Sequence, residues 1–222
     1  MSGTRKIMMC LAGLLAAGAL LSASASAAVW WVDGNPLTNK GNETEEFESA
    51  TPVSTNPKFS SANLVIECTE IRGGLGNYII RQFEGAGRFE FKTCSVVGAE
   101  SGNCEVVNKE FETSATQPFA LLDPIHLEIL PLNGSEFASF KIQKVTGRTC
   151  GLPGGEGEYK LKGAVVGSIL LAGAESREHY LKFLKESPSK LKLKPPAGAE
   201  EGVEFEAEFR LKSKTLPWST RC

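Results

Sequence analysis

Three ionisable side chains lie close together in the segment DPIHLEIL: Asp123, His126 and Glu128. A histidine beside carboxylates can accept and donate protons near neutral pH, so the segment could serve general acid–base catalysis. No nucleophile in a recognisable motif accompanies it, because NGSEFAS lacks the Gly-x-Ser-x-Gly pattern of a serine hydrolase. The sequence therefore favours a structural or exposed role for His126.

Carboxylates are the other groups that could do chemistry. A secreted hydrolase that uses Glu128, Glu204 or Glu206 stays open as an alternative, since carboxylate pairs cannot be recognised from sequence alone. The glycine-rich stretch GLPGGEGE lacks the Gly-Lys-Ser/Thr of a phosphate-binding loop. The histidines and cysteines do not occur at zinc-ligand spacing. We expect no catalytic residue, no cofactor and no metal site.

The N-terminus has the layout of a secretory signal peptide. Two basic residues precede an apolar run of 15 residues, Ile7 to Leu21, and small residues follow it, with cleavage expected between Ala25 and Ala28. The run is shorter than the roughly 20 residues that a transmembrane helix needs. The sequence predicts a signal peptide over 1–27, a secreted or cell-surface location, and no stable membrane span after cleavage.

The mature segment, residues 28–222, is long enough for one well-buried domain. The whole chain has 24 Lys and Arg against 26 Asp and Glu, and removal of the two basic residues of the signal peptide changes the net charge from −2 to −4. No basic cluster occurs, which argues against nucleic acid as a partner. A surface or envelope component remains the expected kind of partner.

Five cysteines follow the signal peptide, and cysteines of an exported chain ordinarily form disulfides. Cys94 and Cys104 flank the turn-forming stretch CSVVGAESGNC between two β-rich segments, so we predict that they pair across a hairpin. Cys68 and Cys150 would then form the second bridge. Cys222 is left over and predicts a disulfide-linked dimer or a mixed disulfide with a surface component, unless it displaces one of the other four.

The rest of the mature sequence has the residue pattern of β-strands. In GVEFEAEFRLKSK, apolar and charged residues alternate from Val203 to Lys212, the period of a strand with one solvated face. Similar short β-rich segments bounded by turn residues are ANLVIECTEI, NYIIRQFE, GRFEFKTC, IHLEIL, EFASFKIQKV and YKLKGAVVGSILL. Residues 174–187 fit a strand better than a short helix, although both periods are present. We predict an all-β, antiparallel sandwich or barrel-like single domain stapled by disulfides.

The adjacent tryptophans Trp30 and Trp31 are candidates for ligand binding, because exposed aromatic rings can serve as binding platforms. Neighbouring residues of a strand point to opposite faces. We therefore expect one ring to fill the core and the other to serve as a ligand platform or to cover the sheet edge.

Several segments follow one another in this order: VWWVDGNPL, IEC, FKTC, a second nearby cysteine, a later TC, LKGAVVG and LKF. With this order, the sequence resembles an uncharacterised group of secreted β-rich proteins of soil actinobacteria. The resemblance covers most of the mature chain and implies export and a β fold. It transfers no active site, and the closing LPWSTRC does not belong to the pattern.

These observations favour a secreted or cell-surface module that binds a partner or contributes structurally to the envelope, without catalysis. Two alternatives remain. One is the carboxylate hydrolase, and the other is a subunit of a surface assembly that is linked through Cys222 or an exposed strand edge.

Overall fold

The computed structural model describes residues 28–37, 45–52, 55–73, 78–79, 84–114, 117–131, 136–185, 190–213 and 216–221. These residues form twenty strands and one short 3-10 helix, Val107–Lys109, and every strand pairing is antiparallel. In chain order the strands are β1 (Val29–Val32), β2 (Asn35–Pro36), β3 (Glu45–Pro52), β4 (Lys58–Ser60), β5 (Val65–Gly73), β6 (Tyr78–Ile79), β7 (Glu84–Gly87), β8 (Phe89–Val97), β9 (Cys104–Val106), β10 (Glu110–Glu112), β11 (Gln117–Leu121), β12 (His126–Ile129), β13 (Glu136–Lys144), β14 (Gly157–Lys162), β15 (Val165–Leu170), β16 (Glu178–Phe183), β17 (Lys192–Lys194), β18 (Glu201–Gly202), β19 (Glu204–Ser213) and β20 (Trp218–Arg221). The predicted all-β fold is confirmed.

Strand β19 shows why the sequence folds this way. Its apolar residues are buried on one face, and its charged residues lie on the other face, as the alternating pattern predicts. The four apolar positions of β19 in the alternating pattern, and Val203 just before the strand, are each at most 5% exposed: Val203, Phe205, Ala207, Phe209 and Leu211. The strand is long enough to pair with β16 on one edge and with both β3 and β4 on the other.

The pairing of β3 with β19 closes a ring of eight strands within the largest sheet. The ring runs β19, β16, β15, β12, β11, β7, β6, β3 and back to β19. From β19 the same sheet also continues outward through β4, β5 and β8 to β10. The predicted barrel-like arrangement therefore applies to this ring of strands. Strands β4, β5, β8 and β10 extend from the ring as a separate layer.

A second sheet, ordered β18-β17-β14-β13-β9, faces this extension. An aromatic contact joins the two layers, because the ring of Phe111 of β10 lies 5.1 Å from that of Phe140 of β13. Within the first layer, Phe59 of β4 stacks on its cross-strand neighbour Phe205 of β19 with ring centroids 4.6 Å apart. Buried aliphatic and aromatic side chains from both sheets belong to one continuous core cluster. Burial of this apolar surface is the main stabilising contribution to the fold.

The third sheet is small and carries the predicted tryptophans. Strand β1 lies between β2 and β20, with Trp30 opposite Thr220 and Trp31 opposite Ser219. Backbone hydrogen bonds join Trp218 to Ser176 in the connection between β15 and β16. The small sheet is thus fastened against one end of the ring.

The predicted disulfide pairing is wrong. The bridges are Cys68–Cys94 and Cys104–Cys150. Strand β8 pairs with β5 and β10, whereas β9 pairs with β13 in the other sheet, so the two strands do not form the expected hairpin. Cys222 lies outside the described residues, as does the predicted signal peptide over 1–27.

In residues 174–187, where the sequence shows both a helical and a strand period, the described part of the chain contains a strand. Glu178–Phe183 forms β16, and its buried residues alternate with partly exposed ones. Pairing with both β15 and β19 determines the structure here, because a helix would leave the edges of two long strands unpaired. Residues 186 and 187 of the predicted strand segment lie outside the described part of the chain.

Candidate functional site

Asp123 and His126 form a hydrogen-bonded pair at the turn that leads into β12. Nδ1 of His126 lies 2.7 Å from Oδ2 of Asp123, while Oδ1 accepts the backbone N–H groups of Ile125 and His126 at 2.8 and 2.9 Å. Partial burial raises the pKa of the Asp123 carboxyl, but these hydrogen bonds outweigh it and hold the pKa below its usual range. The carboxylate is therefore charged at neutral pH and fixes the orientation of the imidazole.

Ser168 lies directly across from His126 on the neighbouring strand β15. The N–H of Ile169 donates to the carbonyl of Ile125 at 2.7 Å, so the residues 125 and 169 are a hydrogen-bonded pair. The adjacent pair, His126 and Ser168, is then of the non-hydrogen-bonded kind, whose Cα atoms are only about 4.5 Å apart. No motif marks Ser168 in the sequence, and only the pairing of β12 with β15 brings it to His126.

The side chains that lie opposite one another from His126 onward form a row across the outer face of the sheet. Ser168 is opposite Lys182 on β16, and Lys182 is opposite Glu208 on β19, where its Nζ lies 3.5 Å from a carboxylate oxygen. The row places an acid, an imidazole, a hydroxyl and an ion pair side by side on a solvated surface.

Of the three carboxylates proposed for a hydrolase, Glu204 and Glu206 lie two residues apart on one face of β19, about 7 Å, but Glu128 does not converge with them. Glu128 is on β12, three strands from β19, which carries Glu204 and Glu206, so roughly 14 Å separates them. The paired carboxyls of glycosidases are at most about 9.5 Å apart. Glu128 and Glu204 also form ion pairs, with Lys190 at 3.5 Å and with Lys185 at 3.2 Å.

Trp30 and Trp31 are unequal in burial. Trp30 is 2% exposed and packs edge-on against Trp218, with centroids 5.4 Å apart. Trp31 is partly buried, and the guanidinium of Arg221 lies 4.9 Å from the centroid of its ring. A ligand that stacked on this face of Trp31 would have to displace Arg221, which is held by Glu175 at 2.8 Å. The use of Trp31 as a ligand platform stays a prediction.

Four exposed aliphatic side chains lie at one end of the ring, in the turn before β12 and where β15 ends in the next turn: Leu122, Ile125, Leu170 and Leu171. We call them the aliphatic cluster. They are 54%, 51%, 37% and 74% exposed, in that order. The hydrogen bond between Ile169 and Ile125 holds the two turns together. Single exposed leucines are ordinary on protein surfaces, whereas a contiguous exposed apolar patch is typical of contact surfaces.

Two surface clefts offer less to a ligand. One, of about 280 Å³, is lined by Tyr159, Pro195 and Glu200 among others, and the Tyr159 hydroxyl already donates to the Gly155 carbonyl at 2.7 Å. The other, of about 380 Å³, follows the edge strand β10 and is lined mainly by charged side chains. Lys92 lies 3.3 and 3.4 Å from two of its carboxylates, so these charges are largely matched within the protein.

Among the described residues, no group of three or more His, Cys, Asp or Glu is arranged to hold a metal ion. Within those same ranges, no helix is long and apolar enough to cross a membrane. No family model matches the chain, and neither a curated protein nor a solved structure shows significant similarity to it.

Proposed function

We propose that the chain is an extracytoplasmic binding module whose contact surface is the aliphatic cluster, and that its partner is a component of the cell surface or envelope. The observation that carries the proposal is the exposure of Leu122, Ile125 and Leu171, each more than half exposed, whereas most large apolar side chains among the described residues are buried. Water-exposed aliphatic surface of this kind is stabilised when a partner covers it.

The two disulfides support an oxidising location. Cys68, Cys94 and Cys104 are at most 3% exposed, so both bridges are anchored in the core. Structural disulfides persist outside the cytosol and are rare inside it. Together with the apolar N-terminal run, they support export.

Co-sedimentation with envelope fragments of the producing cell tests this function. Wild type and two variants are compared: Leu171→Asp in the aliphatic cluster and Leu184→Asp as the matched control. Leu171 has φ +58°, a region that aspartate tolerates better than leucine, so the first variant should fold. Leu184 is 47% exposed and follows the opposite end of β16.

We expect wild type and Leu184→Asp to sediment with the envelope. Leu171→Asp should lose at least about tenfold in affinity, which corresponds to about 1.4 kcal/mol of binding free energy. Binding by Leu171→Asp equal to that of the control would contradict the proposal.

A second candidate function, ester hydrolysis, is favoured by Asp123, His126 and Ser168. In it, Oγ of Ser168 attacks an ester carbonyl and its proton passes to Nε2 of His126. The alcohol leaves with that proton, and water then releases the acyl group. This function stands second because a hydrolase also needs N–H donors for the oxyanion, and backbone N–H groups inside a sheet are already used in its ladder.

Labelling with a fluorophosphonate tests the second candidate. An active Ser168 should gain the mass of the phosphonyl group, and both Ser168→Ala and His126→Gln should abolish the reaction. Ser139→Ala, on a half-buried serine of β13, is the control and should leave the labelling unchanged. The absence of labelled Ser168 in wild type would dismiss the candidate.

A further inference from the structure

We propose that the peptide bond between Asp123 and Pro124 is a site of self-cleavage. In this reaction the Asp123 carboxylate attacks its own main-chain carbonyl, and His126 supplies a proton to the leaving proline nitrogen. The bond is the only Asp–Pro bond in the sequence. The inference does not depend on the proposed function, because it concerns a reaction of the chain with itself.

The Asp123 side chain is folded forward over the bond that it would attack. Its Oδ1 accepts the N–H of Ile125 at 2.8 Å and that of His126 at 2.9 Å, and its Oδ2 lies 2.7 Å from Nδ1 of His126. All three contacts are with residues beyond the Asp123–Pro124 bond, so the carboxylate is held on the side of that peptide unit. A group that is positioned in this way reacts at an effective concentration far above that of a free carboxylate.

Pro124 determines which reaction the carboxylate can undergo. When another residue follows an aspartate, its backbone N–H can attack the side chain and form a cyclic imide, but proline has no N–H. Attack by the carboxylate on the main-chain carbonyl is then the intramolecular route that remains. The proline nitrogen belongs to a tertiary amide and leaves as a secondary amine, which takes up a proton readily.

The atoms balance with one molecule of water. A carboxylate oxygen of Asp123 bonds to the main-chain carbonyl carbon, the bond from that carbon to the proline nitrogen breaks, and the nitrogen takes a proton from the His126 imidazolium. This step forms a five-membered cyclic anhydride and a new N-terminal proline. Water then opens the anhydride to two carboxylates and releases two protons, of which one restores the imidazolium and the other charges the proline amine.

The ionisation states that the reaction needs coexist in mild acid. Partial burial raises the pKa of the Asp123 carboxyl, but its hydrogen bonds outweigh the burial and hold the pKa below the usual range. The carboxylate therefore stays charged under conditions in which histidine side chains take up protons. The side chains of Asp123 and His126 are 45% and 40% exposed, so water reaches both of them.

The other charged side chains on the described strands around this turn are held in ion pairs. These pairs are Glu128 of β12 with Lys190, Lys182 of β16 with Glu208, and Arg221 of β20 with Glu175. The residue across from His126 on β15 is the neutral Ser168. The proton on the imidazole is therefore shared chiefly with the Asp123 carboxylate, which is the group that reacts.

Cleavage would leave the two parts of the chain joined. The Cys104–Cys150 bridge has one cysteine on each side of the cleavage site. Strands β11 and β12 flank the site and pair with each other, and the carbonyl of His126 accepts the N–H of Leu122 at 2.9 Å. The cut should therefore appear as two fragments only after reduction and denaturation.

Incubation of the purified protein at pH 5.5, followed by mass spectrometry with and without reductant, tests the inference. Wild type should yield one fragment that ends at Asp123 and one that begins with Pro124, which separate only when the disulfides are reduced. Asp123→Asn, which keeps an oxygen for the two backbone N–H groups, and Pro124→Ala should each abolish cleavage. His126→Gln should be cut at least about tenfold more slowly, because it lacks the proton donor.

Asp33→Asn is the matched control, because Asp33 is the other aspartate of the sequence and asparagine tolerates its φ of +49°. This variant should be cut at the rate of wild type. Far-UV circular dichroism checks that each variant is folded.

The same incubation in concentrated urea separates a reaction of the folded site from ordinary hydrolysis of an Asp–Pro bond. Folded wild type should be cut at least about tenfold faster than the unfolded chain, because urea removes the contacts that position the carboxylate. Three results would each overturn the inference: wild type that stays intact over days at pH 5.5, equal rates for folded and unfolded protein, or a His126→Gln rate equal to that of wild type.

Discussion

Cys68 and Cys94 lie directly opposite each other on the paired strands β5 and β8, with their Cα atoms 3.9 Å apart. The bridge therefore fastens two neighbouring strands of one sheet. The second bridge, Cys104–Cys150, joins β9 to the loop that follows β13. Peptide mapping without reductant should yield fragments that link Cys68 to Cys94 and Cys104 to Cys150. Fragments that link Cys94 to Cys104 would contradict the structure.

The two bridges should differ slightly in their contribution to stability. They close loops with sequence separations of 26 and 46 residues. In the loop-entropy model these loops correspond to about 3.5 and about 4.0 kcal/mol. We expect the double variants Cys68→Ala/Cys94→Ala and Cys104→Ala/Cys150→Ala each to lose several kcal/mol in the free energy of unfolding by urea. A loss below about 1 kcal/mol in either would show that its bridge adds little to stability.

The strands could be predicted from sequence because their signal is local. The alternation of apolar and charged residues along β19 predicts which side chains face the core, and the structure confirms the prediction for Phe205, Phe209 and Leu211. The disulfide pairing could not be derived in this way. A short loop with glycines suggested a hairpin, whereas the actual partners depend on which distant strands lie side by side.

Gly163, which precedes β15, should be intolerant of a side chain. Its φ is +97°, and a Cβ would lie 2.2 Å from the backbone carbonyl oxygen of Lys190. Gly163→Ala should therefore lower the free energy of unfolding by at least about 2 kcal/mol. Gly173→Ala is the matched control, because a Cβ there meets no heavy atom within 4 Å. Equal stabilities of the two variants would contradict the close approach at Gly163.

His179 should make the protein less stable in mild acid. The ring is 1% exposed, packs against Trp218 at 3.9 Å between centroids, and its Nε2 lies 2.7 Å from the Trp218 carbonyl. Burial lowers the pKa of His179 below 6.5, although backbone hydrogen bonds partly offset the effect. The unfolded chain consequently binds a proton at higher pH than the folded chain does, and stability falls as the pH drops from about 6.5 towards the folded-state pKa.

Urea unfolding at pH 7.5 and pH 5.5 measures this effect. Wild type should lose stability at the lower pH, and His179→Gln should lose less, since glutamine keeps a hydrogen-bond donor but does not titrate. His126→Gln, which retains the buried His179, is the control. It should keep the loss of stability at low pH that His179 causes. Identical pH dependence in wild type and His179→Gln would show that His179 does not titrate with unfolding in this range.

The candidate site could be predicted only in part. Asp123 and His126 are three residues apart, so their contact is local and the sequence indicated it. Ser168 and the aliphatic cluster depend on how β12 pairs with β15, and an exposed leucine looks like a buried one in sequence. Leu122 and Leu171 are apolar residues in β-rich segments, where the ordinary expectation is burial.

Oxidative footprinting tests the central claim that the aliphatic cluster is the binding surface. Hydroxyl radicals modify exposed side chains, and the modification of the protein alone is compared with that of the protein bound to envelope fragments of the producing cell. We expect Leu122, Ile125, Leu170 and Leu171 to be protected on binding, while Leu184 and Val97, which are also exposed, remain reactive. Binding that leaves the four cluster residues as reactive as in the free protein would contradict the claim.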